Sequence, residues 1–441
     1  MVNASVKFDN CIGKIKPMNA VNNGPVIARK DQSRGNDETF RVAKIPYART
    51  HDSSGFAGYG GAHTVDIQAV FPDFDADVND PASYDFIVTD KYMRDIQSVG
   101  TKVYYRLGTK IEHGIKKYNI FPPKDNQKWA EICEHIIAHY TEGWADGFHY
   151  DIEYWEIWNE PDLDTDERPM NEHRCWAGTA HQFYELFHVA ATHLKSRYPH
   201  LKIGGPAMAK LQYEGKWFED FLTYMKENNV TMDFFSWHIY CATVEKIEAR
   251  AEYIRQRLDY YGYTETESIL NEWNYVRGWS EEFIYSIEQV ISQKGAAFTA
   301  ATMSACQNSS VDMLMYYDAR PCVFNGLFDF YTYRPLKGYY PFYYFGRLTD
   351  MENQAEVASS DSDIRLTAAS DGEGAGVMIS YFAEPDDAQN KQLSLTLDTS
   401  GTYKCYITDA DRTNEESTME IAAGEPVTLS LKPQTVIYLE K

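Results

Sequence analysis

The chain has 441 residues, more than one ordinary domain needs and enough for a barrel of ~250–350 residues with a smaller companion. A formal net charge of −23 with no Lys/Arg cluster argues against a nucleic-acid partner, and no run approaches the ~20 apolar residues needed to cross a bilayer, which argues against a membrane protein. The seven cysteines include no Cys-x-x-Cys pair and read as free thiols of a reducing compartment. Met1 to Ser5 carries neither a basic region nor an apolar run, so no signal peptide is expected and the expected location is cytoplasmic.

From residue 15 to about 320, short apolar segments alternate with helical faces. Ile15 to Val21 and Val42 to Arg49 read as the first two strands, and Lys102 to Leu107 as the third. Trp129, Ile132, Cys133, Ile136, Ile137 and Tyr140 then recur at steps of three and four, one apolar helical face that stops at Gly143. Ile152 to Trp158 is the fourth strand, and Phe183 to Leu194 the helix after it. Strand five spans Leu201 to Gly205, followed by a helix from Trp217 to Lys226. Strand six is Phe234 to Tyr240, with a helix through Ile247, Ala251, Ile254 and Leu258. Ser268 to Glu272 is strand seven, Phe283 to Ser292 a helix, and Met313 to Tyr317 strand eight. Strict alternation implies a parallel sheet with right-handed crossovers, and eight units close it into a (β/α)₈ TIM barrel.

After Leu348 the helical faces vanish. Gln392 to Leu397 and Val427 to Leu431 alternate apolar and polar residues between Gly and Asp turns, the pattern of antiparallel strands in an accessory β-sandwich. The expected division is therefore an α/β catalytic barrel at 12–345 and a sandwich at 346–441, with residues 1–11 as candidates to join the latter. The aromatic stretch Tyr339 to Phe345 is expected to be the last barrel helix, packed on the sandwich.

In such a barrel the chemistry lies where strands end. Strand four ends Trp155-Glu156-Ile157-Trp158-Asn159-Glu160-Pro161-Asp162, and strand seven ends Ile269-Leu270-Asn271-Glu272-Trp273. The two glutamates are roughly 110 residues apart, about three strand–helix units, so both tips can reach one pocket. Paired carboxyls suit glycoside hydrolysis, in which one group protonates the leaving oxygen while the other, ionised, meets the anomeric carbon. Unequal burial and nearby donors can hold the two in different charge states. Fifteen per cent aromatic residues, with 33 tyrosines and nine tryptophans, suit sugar rings, which present apolar C–H faces beside hydroxyls.

Here the chain resembles the clan A glycoside hydrolases, and within them family 39, which includes β-xylosidases and α-L-iduronidases. The resemblance rests on Pro46 to Asp52, Trp155 to Asp162 and Ser236 to Tyr240, and extends over the barrel and the sandwich. It implies a retaining exo-glycosidase, first of all a β-D-xylosidase. The alternatives are an arabinosidase, galactosidase or iduronidase relative, or a non-catalytic carbohydrate-binding protein. It implies that Glu160 is the acid/base and Glu272 the nucleophile. Asn159 would bind the sugar 2-hydroxyl, Tyr240 would donate to Glu272, and Arg49 would add positive charge beside it, with Trp273 in support. His51 and His238 would meet hydroxyls of the terminal sugar. At strand eight the match loosens, and Asp318 stands either as a hydroxyl-binding acid or as half of a loop-fixing pair with Arg320. No metal or other cofactor is expected, since neither Glu112-His113 nor Glu172-His173 has metal-ligand spacing. The substrate is an oligosaccharide or glycoside; a homo-oligomer is compatible with the sequence, which leaves oligomeric state open.

Overall fold

The alternating apolar segments close into a parallel barrel in the computed structural model, which describes residues 1–28, 34–53, 64–164, 166, 168–211 and 216–441. A long first strand, β1 (Val2–Lys14), precedes it. The barrel strands are β2 (Ala20–Asn22), β3 (Tyr47–Arg49), β4 (Lys102–Leu107), β5 (Tyr154–Ile157), β6 (Lys202–Met208), β7 (Phe234–Cys241), β8 (Glu267–Tyr275) and β9 (Met313–Tyr316), paired in that order with β9 closing on β2. Helices cover the outside. The helix Asn126–Thr141 begins where Asp125 accepts the backbone N–H groups of Gln127 and Lys128, and it buries the six apolar residues that recur along its sequence. The helix Ala180–Arg197 starts with a reciprocal Thr179–Gln182 capping box.

Three expected elements differ. Val42 ends a helix, Asp37–Val42, and the strand after it is only Tyr47–Arg49; likewise the first barrel strand is Ala20–Asn22, while Ile15 to Asn19 forms the connection from β1, which ends at Lys14. Between β8 and β9 there are two helices, Phe283–Val290 and Gln293–Gln307. The second is rich in Ala, Thr and Ser and buried from Lys294 to Gln307, sandwiched between barrel and sheet. A helix buried all round has no polar face, so it carries no amphipathic signature to read.

Past the helix Tyr339–Met351, eight strands follow: β10 (Asn353–Ser359), β11 (Ile364–Ser370), β12 (Ala375–Tyr381), β13 (Lys391–Leu397), β14 (Gly401–Thr408), β15 (Glu415–Ile421), β16 (Pro426–Leu431) and β17 (Thr435–Glu440). With β1 they form one nine-stranded sheet in the order β15-β14-β17-β12-β11-β10-β1-β13-β16. It curls over a single apolar core drawn from all nine strands, among them Val6, Leu366, Val377, Leu395, Tyr403 and Leu439. All its pairs are antiparallel except β1 with β13, which run parallel from Val2↔Leu393 to Val6↔Leu397. The N-terminal strand thus lies in the accessory sheet, and the chain crosses between the units near Lys14 and Glu352. Tyr344, on the helix Tyr339–Met351, stacks on Tyr438 of the sheet at 5.0 Å. The seven cysteines are free thiols. Among the described residues no helix is long and apolar enough to cross a membrane.

Inward-facing side chains repeat every second residue along each strand and so stack in layers. The lower part of the interior is apolar and aromatic, with Ala20, Tyr104, Tyr154, Phe234, Ile269, Met313 and Met315. Two residues on, the next layer turns polar, with Asn22, Glu156, Ser236 and Asn271, joined by Arg49. Above it lie the ends of β5, β7 and β8.

Candidate active site

The end of β5 is sharply bent. Trp158 and Glu160 both have positive φ, 72° and 50°, which non-glycine residues adopt rarely. The bend is tied down: Glu160 N–H donates to Ala207 O at 3.0 Å, and the Asp162 carboxylate accepts the N–H groups of Ala209 and Lys210 at 2.9 and 2.7 Å. On β8 the pairing with β7 slips between Leu270 and Glu272, a bulge that leaves Asn271 without a partner. Asn271 and Glu272 then both have inward contacts, Asn271 below and Glu272 at the mouth.

These two devices bring Glu160 and Glu272 together. One oxygen of each, with Nδ1 of His238, lie within 4.8 Å of one another. Nδ1 of His238 is 2.8 Å from Glu160 Oε1 and 3.1 Å from Glu272 Oε2. Glu272 accepts as a carboxylate, and Glu160 Oε1 accepts whether or not the other Glu160 oxygen holds a proton, so Nδ1 carries the proton and bridges the pair. Tyr240 donates its hydroxyl to Glu272 Oε2 at 3.0 Å. The other oxygen of Glu272 faces Arg49 Nη1 at 3.3 Å and His51 Nε2 at 3.5 Å.

Burial by itself would raise the Glu272 carboxyl and lower the His238 imidazole. Their mutual attraction wins: His238, with Arg49 behind it, holds Glu272 below the usual carboxylate range, while Glu272 and Glu160 hold His238 above the usual imidazole range. His51 goes the other way, pushed down to about 3 by burial, with Arg49 opposing protonation and Asp52 favouring it. The site therefore holds one charged and one neutral imidazole. Burial, with the charges of Glu272 and Glu160, keeps the Tyr240 phenol protonated well above its ordinary range.

A histidine whose folded value lies above 6.5 stabilises the fold fully below that pH and loses its contribution as pH rises through about 9. The unfolding free energy, from urea titrations below pH 6.5 and above pH 9, is therefore expected to fall with pH in the wild type and less in His238→Asn. Equal falls in both proteins would acquit His238.

Beneath the site lies Glu156, a fully buried carboxylate that the sequence reading passed over. It accepts from Arg49 Nε at 2.7 Å, Ser236 Oγ at 2.6 Å, Tyr104 OH at 3.1 Å and Asn271 Nδ2. Arg49 in turn reaches Asn22 Oδ1 at 3.1 Å, Asn159 Oδ1 at 2.6 Å and Glu272. One guanidinium thus orients two residues at the mouth while Glu156 fixes it from below. A charged residue at an inward position of a buried strand was the available signal, because such a charge needs a partner. Glu156→Ala leaves Arg49 short of one counter-charge, and breaking a buried pair costs about 3–5 kcal/mol. Urea unfolding of this variant is expected to show a loss of that size; a loss under about 1 kcal/mol, typical of an exposed pair, would contradict the network.

The remaining expected residues fall into two groups. Asn159 is buried and keeps Nδ2 without a partner among the described residues, as does Nε2 of His238 and Nδ1 of His51. These are donors or acceptors left for something else. Asp318 is otherwise engaged: its carboxylate accepts from Asn23 Nδ2 at 3.0 and 2.9 Å and from the Arg320 N–H at 2.8 Å, and burial raises its carboxyl to about 7. Trp273, the residue expected in support, lies behind Glu272. The alternation after the bulge turns it to the outside of the barrel, where it packs on Phe298 at 6.1 Å and Tyr316 at 5.4 Å. Cys175, not anticipated, places its thiol 3.8 Å from Glu160 Oε2.

Residues 32–281, more than half of the chain, match the profile of glycosyl hydrolases family 39. The chain belongs to that family. A beta-xylosidase of Geobacillus stearothermophilus is 25% identical over 309 residues, which cover 64% of this chain and 57% of that protein. A beta-xylosidase of Caldicellulosiruptor saccharolyticus is 28% identical over 169 residues, 36% of this chain and 31% of that one. The chain thus matches less than two thirds of the length of either relative. Among solved structures, a glucosidase from Croceicoccus marinus superposes with a TM-score of 0.80 at 24% identity, covering 100% of this chain and 98% of that one. A monomeric beta-xylosidase from Caulobacter crescentus superposes at 0.70 with 16% identity, covering 100% and 99%. The fold, barrel and accessory sheet together, is therefore shared with these two structures.

Proposed function

We propose that this chain is a retaining exo-glycosidase acting on β-D-xylosides, with Glu160 as acid/base and Glu272 as nucleophile. The observation that carries the reading is the approach of the two carboxyls to one another, close enough for a single imidazole Nδ1 to lie 2.8 Å from Glu160 and 3.1 Å from Glu272. Retaining enzymes keep the pair ~5–5.5 Å apart, whereas inverting ones need ~6.5–9.5 Å to admit a water.

In the first step a Glu272 oxygen bonds to the anomeric carbon as the bond from that carbon to the leaving oxygen breaks. Glu160 gives its proton to that oxygen. In the second step Glu160 takes a proton from water, whose oxygen displaces Glu272 on the same carbon; two inversions give net retention. Arg49, Tyr240 and His238 keep Glu272 ionised and aimed. As the ester forms that charge is lost, and the Tyr240 hydroxyl is released toward the ring oxygen, where positive charge develops. The unpartnered Asn159 Nδ2 suits the 2-hydroxyl. Tyr317 donates to Asp52 Oδ2 at 3.0 Å and Arg320 Nη1 to Asp52 O at 2.8 Å, and this wall beside His51 favours one terminal ring over a through-running chain.

The xyloside preference rests on the two beta-xylosidase relatives. It is tested with aryl glycosides that differ only in the sugar: β-D-xyloside, α-L-arabinoside, β-D-galactoside, β-D-glucoside and α-L-iduronide. The xyloside is expected to have the highest kcat/KM. A different winner moves the specificity within the family, and hydrolysis of none would leave a binding protein.

A further inference from the structure

Of the nine tryptophans, eight are buried or partly buried and one, Trp279, is 61% exposed. It stands on the loop after β8, and its ring meets the ring of Tyr240 edge-on at 5.2 Å. Tyr240 is the residue whose hydroxyl reaches Glu272. Trp279 also stacks on Phe283 at 5.8 Å and lies 6.0 Å from Phe324, so one face is backed by aromatic rings while much of the side chain stays open. An exposed indole costs solvation unless something covers it, and here it borders the site.

The loop that carries it is held. The Arg277 N–H donates to Ser286 Oγ at 2.9 Å. The Arg277 guanidinium donates to Glu384 Oε1 at 2.7 Å and to both oxygens of Asp386 at 3.1 and 3.2 Å. Lys294 adds a contact to Asp386 at 2.7 Å. Glu384 and Asp386 belong to the turn between β12 and β13, so the accessory sheet clamps the loop from outside the barrel. A ring held in advance loses little freedom on binding.

We propose that Trp279 is the stacking platform for the second pyranose ring, the one on the leaving-group side of the scissile bond. The ring in the terminal position must meet His51, Asn159 and Glu272, all buried, so an exposed residue faces the ring beyond it. The direction agrees. Glu272 Oε1 faces Arg49 and His51, whereas Oε2 faces Tyr240 and His238, and His238 is the residue shared with Glu160, the proposed proton donor to the leaving oxygen. Trp279 lies on the Tyr240 side. The apolar C–H face of a pyranose or an aryl group suits it; a methyl aglycone does not reach.

This inference rests on the assignment of Glu160 and Glu272 above. The test compares wild type, Trp279→Phe and Trp279→Ala on a methyl glycoside and on a disaccharide with the same terminal sugar. Trp279→Ala is expected to lower kcat/KM on the disaccharide by about tenfold, mainly through KM, and to leave the methyl glycoside unchanged, with Trp279→Phe in between. Equal losses on both substrates would mean that Trp279 merely props Tyr240. No loss on either would mean a bare surface residue. Each of these results overturns the platform. Calorimetric binding of the disaccharide to Glu272→Ala, with and without Trp279→Ala, separates this from the function itself. Should the wild type hydrolyse no glycoside, the catalytic reading fails, while weaker binding on loss of Trp279 still supports the platform and unchanged binding removes it.

Discussion

Glu272→Ala is expected to lose on the order of 10⁴–10⁶ in kcat on every glycoside, because no other side chain can form the covalent intermediate. Glu160→Ala is expected to behave differently. An aryl glycoside with a good leaving group needs little protonation, so the glycosyl-enzyme still forms and its breakdown slows for want of a base. A burst of released aryl alcohol followed by slow turnover is the expected trace. Azide, which attacks without a base, then restores turnover and yields a β-glycosyl azide from a β-glycoside. Product configuration by NMR is the check. An azide of inverted configuration from the Glu160 variant would mean that the two roles are exchanged. His238 makes this contrast sharp, because it bonds both carboxylates at 2.8 and 3.1 Å and remains to hold whichever one is left.

The second large effect is expected at Tyr240. Its hydroxyl is 3.0 Å from Glu272 Oε2, and burial with the adjacent carboxylates keeps the phenol protonated. A donor placed in advance where charge changes along the reaction acts on the barrier more than on binding. Tyr240→Phe is therefore expected to lose on the order of 10²–10³ in kcat, with KM altered much less. Steady-state kinetics with a thermal melt measure both. The phenyl ring keeps the packing against Trp279, Tyr317 and Phe324, so the melt should hardly move. Activity within a few-fold of wild type would reduce Tyr240 to a space-filler.

Much of the site was legible because chemistry and position coincide along the chain. Asn159-Glu160 and Asn271-Glu272 follow apolar strands, and Arg49, His51, His238 and Tyr240 stand at other strand ends. What was missed depends on contacts distant in the chain. Glu156 lies within a strand, among aromatic residues, and its importance comes from Arg49, Tyr104, Ser236 and Asn271, which are far away in sequence. The inward turn of Glu272 was hidden for a related reason: strict alternation along the strand does not reveal the bulge between Leu270 and Glu272. The helix Gln293–Gln307 escaped notice because burial on all sides removes the polar face that makes a helix visible.

By itself the sequence determined the barrel with its accessory sheet, the family, and the two glutamates at the ends of the fourth and seventh barrel strands, since period, turn residues and strand-end motifs are local properties. Tertiary structure alone decided how those residues are used. It threaded β1 between β10 and β13, clamped the Trp279 loop through Arg277 onto the turn after β12, and set one imidazolium between the two carboxylates while leaving the other imidazole neutral. Each of these depends on register, on a bulge or on the sign of a nearby charge. Such quantities belong to pairs of residues far apart in the chain, and they come into being only when the fold closes.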